Sequence, residues 1–235
     1  MLVLKLIAPT FNSMQRLPQR MQRRRFVKTI GAAALLTLSL SFPRFANAES
    51  EIKRYAMFID VSRCYGCMAC VAACMAENNV PIGDFRTWVE RFVKLSGRVV
   101  FVPKLCNHCE NPSCVIPCPT GATFKRVEDG LVLINDELCI GCGACIQACP
   151  YGARYLNKVK GVADKCTFCE HRLRKGLLPA CVEACPTGAR IFGDLRDESS
   201  ELSLLIKGQS LSLLKAWTGN QPRIFYKQLP EEANR

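Results

Sequence analysis

The chain runs to 235 residues, 16 of them cysteine, with a formal charge of +12. That length suits one or two domains, and so many thiols exclude an ordinary hydrophobic core as the whole account of the fold. The charge is concentrated in residues 1–48, which hold eight Lys or Arg and no acid, so the remainder carries only +4 and a nucleic-acid partner inferred from charge is excluded.

Arg23-Arg24-Arg25-Phe26-Val27-Lys28 opens an apolar run, Thr29 to Phe42, and Ala46-Asn47-Ala48 follows as a small-x-small cleavage site. These are the three regions of a signal peptide over 1–48, with Met14 or Met21 as alternative starts. The run is too short to span a bilayer, so no transmembrane segment is expected in the mature chain. Paired arginines ahead of x-Phe-Val-Lys resemble the twin-arginine export signal. That route carries folded proteins with cofactors already inserted. The expected location is therefore the periplasm, with the thiols occupied by metal before they meet an oxidising compartment.

Beyond the leader one device recurs four times. A β-like run at Arg54 to Ile59 leads into Cys64, Cys67, Cys70 and Cys74, spaced x2, x2, x3, in a segment 54–84. A second run, Val99 to Val102, precedes Cys106, Cys109, Cys114 and Cys118, spaced x2, x4, x3, in 97–128. An Asp-Gly turn and Leu131 to Ile134 precede Cys139, Cys142, Cys145 and Cys149, spaced x2, x2, x3, in 130–159. Cys166, Cys169, Cys181 and Cys185, spaced x2, x11, x3, occupy 160–195, so every cysteine is used. Three of the fourth cysteines continue as C-P-x-G-A, at Cys118, Cys149 and Cys185, whereas Cys74 runs on as Met-Ala-Glu. In 196–235 the spacing of Leu202, Leu205, Ile206 and Leu213 predicts a helix from Glu198 to Trp217, and Ile224-Phe225-Tyr226 a closing strand.

Disulfides, zinc and iron–sulfur clusters compete for such thiols. C-x2-C pairs make strained, reducible disulfide loops. A zinc site needs two C-x2-C pairs, and a third cysteine two residues on is surplus. The C-x2-C-x2-C run instead wraps three sulfurs around a tight loop able to cap three irons of a 4Fe–4S cube. Gly66, Gly141 and Gly143 lie in such loops, where positive φ brings backbone N–H groups toward sulfur. The last two cysteines of a group, such as Cys145 and Cys149, are one helical turn apart. In two-cluster ferredoxins the outer one ligates the neighbouring cluster. His108 and His171, the two histidines, are not expected as ligands, and Lys165 and Arg172 are expected to tune potential or face solvent. No dinucleotide fingerprint, phosphate loop or nucleophile arrangement is present.

The stretches RYAMFIDVSRCYGCMACVAAC, LCNHCENPSCVIPCPTGATF, CIGCGACIQACPYGARY and ADKCTFCEHRLRKGLLPACVEACPTGARIFGDL carry a family resemblance. They resemble the four-cluster iron–sulfur (beta, electron-transfer) subunits of the dimethyl-sulfoxide-reductase family of molybdopterin oxidoreductases, closest in look to the exported tetrathionate and polysulfide reductase subunits. The resemblance covers about 54 to 230. It implies an α+β fold of two ferredoxin-like modules, one inserted in the other, with short strands and helices around four 4Fe–4S clusters. It implies cages of Cys64, Cys67, Cys70 with Cys185; Cys74 with Cys166, Cys169 and Cys181; Cys106, Cys109, Cys114 with Cys149; and Cys118 with Cys139, Cys142 and Cys145. Four such cages at about −2 each would bring the oxidised mature protein to about −4. The implied partners are a molybdopterin catalytic subunit and a quinone-handling membrane anchor, to which the chain attaches peripherally. The implied role is electron relay in a respiratory reductase, not catalysis. A carrier serving formate-linked nitrite reduction and a free soluble polyferredoxin are the alternatives.

Overall fold

The computed structural model describes residues 52–94 and 96–234; the expected signal peptide lies outside the described residues. The described residues make a mixed fold of short elements strung between cysteine loops. In order they are β1 (Tyr55–Asp60), α1 (Ala69–Asn78), β2 (Thr87–Val93), β3 (Val99–Leu105), β4 (Thr123–Lys125) and β5 (Val132–Ile134). Then follow α2 (Ala144–Gln147), β6 (Arg154–Asn157), β7 (Val162–Lys165), α3 (Glu170–Leu173), α4 (Ala180–Glu183), β8 (Arg190–Asp194), α5 (Glu201–Lys207) and β9 (Ile224–Lys227). Among the described residues no helix is long and apolar enough to cross a membrane.

β1 organises the molecule because both of its faces are covered. Met57 and Ile59 point into a core that includes Cys70, Cys106, Cys166 and Cys181, while Ala56 and Phe58 point the other way against Leu202. That is the period-2 alternation of a strand put to use on two sides. β1 pairs antiparallel with β8, Tyr55 opposite Asp194 and Ile59 opposite Arg190, and parallel with β9. The strand leading into the first cysteine group thus lies beside the strand that follows the last. The other pairings are local hairpins: β2 with β3, β4 with β5, and β6 with β7.

The helices that carry cysteines are short because loop chemistry brackets them. α1 starts after Met68 and stops at Asn79, both left-handed, and its buried face includes Cys70 and Cys74. α2 and α4 last a single turn each, and Pro150 and Pro186 follow the cysteines that end those turns. Proline cannot extend a helix, so the outer thiol is left at a fixed exit.

The expected helix over Glu198 to Trp217 is corrected: only Glu201–Lys207 is helical, with Ser200 capping its start by accepting from the Ser203 N–H. Gly208 ends it. Ser212 then bridges to Tyr226 as an isolated β contact, which takes the following residues out of helical register. Of the apolar residues that suggested one long helix, Leu202, Leu205 and Ile206 pack behind β1. Leu214, one residue beyond Leu213, reaches the main core on the other side.

Candidate metal centre

The four C-x2-C loops share one backbone feature. The residue just before the second cysteine has positive φ in each: Gly66 at +79°, His108 at +41°, Gly141 at +67° and Phe168 at +55°. Two loops use glycine, where a side chain would meet a close neighbour. A Cβ on Gly141 would meet the Gly161 carbonyl oxygen at 2.4 Å, and one on Gly66 would meet the Phe101 ring at 2.6 Å. The other two loops carry side chains that meet each other: His108 and Phe168 stack at 4.0 Å between ring centroids, both fully buried.

None of the sixteen cysteines is disulfide-bonded, and nine of them are buried. Cys64, Cys67, Cys70 and Cys185 line one cavity together with Arg190. Cys106, Cys109, Cys114 and Cys149 line a second together with Arg154. Asn78 Nδ2 lies 3.6 Å from both Cys74 Sγ and Cys169 Sγ, which draws a thiol of the first group to one of the fourth. Cys145 is buried beside Cys114 with Cys139 packed against them, Cys118 meets Thr120 and Thr123 of its own turn, and Cys142 is exposed. Among the described residues no three His, Cys, Asp or Glu side chains converge as they would on a single ion. A tetrahedral zinc site would need its sulfurs within about 4 Å of one another. The thiols ring a space instead, which suits a cube with one iron at each corner.

Electrostatics fit a multi-iron group. Burial first, then the neighbouring Cys181 and Cys169, push the Cys74 thiol up to about 12. Burial, Cys106 and Cys114 do the same to Cys109, also to about 12. Cys166 is driven well up by burial and by Cys74 and Cys181. Thiols so crowded ionise readily only when a cation takes their charge. Backbone N–H groups already point at sulfur: Thr123 to Cys118 at 3.4 Å, Ala163 to Cys139 at 3.4 Å, Phe168 to Cys166 at 3.4 Å and Ala189 to Cys185 at 3.3 Å. Among the described residues Arg190 Nη1 and Arg154 Nε are buried beside the two cavities without a partner, as donors facing an inorganic sulfide would be.

The residues expected to matter besides the cysteines divide. His108 is buried, accepts the Val132 N–H on Nδ1 at 3.1 Å, and is held neutral by burial and by Lys165. Lys165 does not face solvent: it is 1% exposed, and its Nζ donates to the carbonyls of Cys166 and Val132. Arg172 ties α1 to α4 by pairing with Glu77, at 2.8 Å, and Glu183. Arg154, Arg190 and Asn78 were not singled out from the sequence. The signal was present for the arginines, since both follow C-P-x-G-A.

Ferredoxin-type iron–sulfur protein is the class that these loops and thiols define. The chain matches the family described as 4Fe-4S dicluster domain over residues 98–195 and that described as 4Fe-4S binding domain over 61–76. It is 61% identical over 176 residues to the B subunit of tetrathionate reductase from Archaeoglobus fulgidus, covering 75% of this chain and 83% of that protein. It is 43% identical over 214 residues to the B subunit of tetrathionate reductase from Salmonella typhimurium, covering 87% and 85%. Against protein NrfC of Escherichia coli the identity is 40% over 210 residues, covering 86% and 93%. The chain belongs to the iron–sulfur, electron-transfer subunits of the dimethyl-sulfoxide-reductase family of molybdenum oxidoreductases. It relays electrons within a respiratory reductase and is not the catalytic subunit.

Proposed function

We propose that this chain is the iron–sulfur subunit of a periplasmic reductase of the tetrathionate type. It would hand electrons singly from a quinone-handling membrane subunit to a molybdopterin catalytic subunit. The observation that carries the reading is the cavity lined by Cys64, Cys67, Cys70 and Cys185, four thiols drawn from the two ends of the cysteine-bearing region. The identity of 61% to a tetrathionate reductase iron–sulfur relative, against 40% to NrfC, favours a sulfur-compound reductase over nitrite reduction.

In this reading four 4Fe–4S clusters are held as two nested modules. Cys64, Cys67, Cys70 and Cys185 hold the first; Cys74, Cys166, Cys169 and Cys181 the second; Cys106, Cys109, Cys114 and Cys149 the third; Cys118, Cys139, Cys142 and Cys145 the fourth. The β1 and β8 pairing supports an outer module that closes around residues 97–159. When bound, each cluster supplies a one-electron change that needs no proton and no substrate pocket. The protein's own residues do the rest. Thiolates fix position, backbone N–H groups hold charge on sulfur, and packing keeps water from the inner thiols. Cys74, Cys166, Cys169 and Cys181 are all buried, whereas the first and fourth sets each contain an exposed cysteine, Cys67 and Cys142. Exposure at those two sets suits entry and exit of electrons through partner subunits. Export by the twin-arginine route, with cleavage after Ala48, would deliver the loaded protein to the periplasm.

The test is deletion of this chain from its host. Quinol-driven tetrathionate reduction should vanish, while reduction driven by a small dye that donates directly to the catalytic subunit should persist. Quinol-driven activity at the parental rate would overturn the relay position.

A further inference from the structure

Two buried arginines occupy equivalent places that the relay alone does not require. Arg154 and Arg190 each stand five residues after a fourth cysteine, in Cys149-PYGAR and Cys185-PTGAR, and each opens a strand, β6 or β8. They are 5% and 2% exposed. Arg190 Nη2 donates to Cys70 Sγ at 3.4 Å and to Thr87 Oγ1 at 2.9 Å. Arg154 Nη2 donates to Cys114 Sγ at 2.9 Å, and its Nη1 to Thr123 Oγ1 at 3.1 Å. The same construction therefore appears twice: one guanidinium, one threonine anchor, and the third cysteine of a group. At the corresponding places after Cys74 and Cys118 the sequence has Asn79 and Thr123, so those sites lack the cation.

Among the described residues neither arginine has a carboxylate partner, in contrast to the partly buried Arg86, which pairs with Asp164 at 2.8 Å. A buried cation is costly unless negative charge stands beside it, and here only the thiolates can supply that charge.

We propose that Arg190 and Arg154 set reduction potential, one in each module, by holding a fixed positive charge and an N–H donor against the cage that contains Cys70 and the cage that contains Cys114. The step they act on adds one electron from the quinol side and passes one to the catalytic subunit, with no proton taken up. Reduction therefore adds a full negative charge beside each guanidinium. A cation that cannot move away stabilises the reduced state more than the oxidised one and raises the potential. This role rests on the cluster assignment proposed for the two cages.

The experiment is a redox titration of the loaded, full-length protein followed by electron paramagnetic resonance, with iron per chain measured on every variant. Cys70→Ser and Cys114→Ser first mark the two centres. Arg190→Gln, which removes the charge but keeps an amide donor, should move the Cys70 centre to lower potential and leave the Cys114 centre in place. Arg154→Gln should do the reverse, and Arg190→Lys and Arg154→Lys should stay near the parent. An unmoved marked centre, or an equal shift of every centre, overturns the proposal. If one glutamine variant loses iron, the other carries the test. If both do, the lysine variants decide, since a charge role predicts an unmoved potential and a purely geometric role a moved one. A wrong assignment of Cys185 or Cys149 would show separately, as a serine at that position altering a different centre from the marked one, and would leave the arginine result readable.

Discussion

The residue before the second cysteine in each loop shows how closely backbone and chemistry are joined. Left-handed φ costs a non-glycine residue about 1–2 kcal/mol. At His108 and Phe168 that cost is offset by their mutual stacking, worth about 0.5–1.5 kcal/mol, and by complete burial. Gly141 has no such option, because a methyl group there would meet the Gly161 backbone oxygen at 2.4 Å, whereas at Gly66 it would meet the movable Phe101 ring. Gly141→Ala should therefore cost the protein one cluster, a loss of about four irons per chain. Gly66→Ala should retain more iron than Gly141→Ala. Iron and acid-labile sulfide assays check the order, and equal full loading in both variants would refute the steric account. The glycines were legible in the sequence because glycine at that place announces positive φ. His108 and Phe168 were not, since the geometry they adopt is imposed by loop closure around the thiols and by a stacking partner 60 residues away.

Among the elements, the strands whose residues are simply apolar were the readable ones. β1, β3, β5 and β9 coincide closely with the runs Arg54 to Ile59, Val99 to Val102, Leu131 to Ile134 and Ile224 to Tyr226. β6, β7 and β8 escaped because their polar residues are buried for local reasons. β7 is buried throughout, yet contains Asp164, which pairs with Arg86, and Lys165, which donates to carbonyls. Alternation read from hydropathy alone has no way to count such residues as interior. The long C-terminal helix failed for the opposite reason: its apolar residues serve two cores on different sides of β1, so no single helical face contains them. Leu202 is the anchor of α5, 1% exposed, packed on Ala56 and Phe58, and set close to Gly193. Leu202→Ala should destabilise the protein by about 2–4 kcal/mol. Its packing lies on the side of β1 away from the thiols, so iron content and cluster potentials should be unchanged. A thermal melt together with iron analysis separates the two effects, and iron loss at unchanged melting temperature would contradict the division of β1 into two faces.

At the scale of the whole molecule, the four cysteine groups and their spacing were legible at once, and the pairing of distant groups came from resemblance. Spacing within a group cannot say which thiol crosses to which neighbour; only the third dimension holds that information. The lining of one cavity by Cys64, Cys67, Cys70 and Cys185 supports the crossing, as does Asn78 reaching both Cys74 and Cys169. Cys181 and Cys185 sit at the start and just past the end of the single turn α4, so one can face each of two adjacent cages. Cys185 accepts N–H from Ala189 at 3.3 Å; although burial opposes it, hydrogen bonds from Thr187 and backbone N–H groups hold its thiol below the ordinary value. Cys185→Ser should then perturb the same paramagnetic centre as Cys67→Ser, with loss of one iron or a shifted potential, while Cys169→Ser perturbs another. The total should remain about sixteen irons per fully loaded parent chain and fall by no more than one cluster in each variant. If Cys185→Ser and Cys169→Ser instead alter one common centre and leave the Cys67 centre intact, each group holds its own cluster. The nested arrangement would then fall, although β1 and β8 would still pair and Arg172 would still tie α1 to α4.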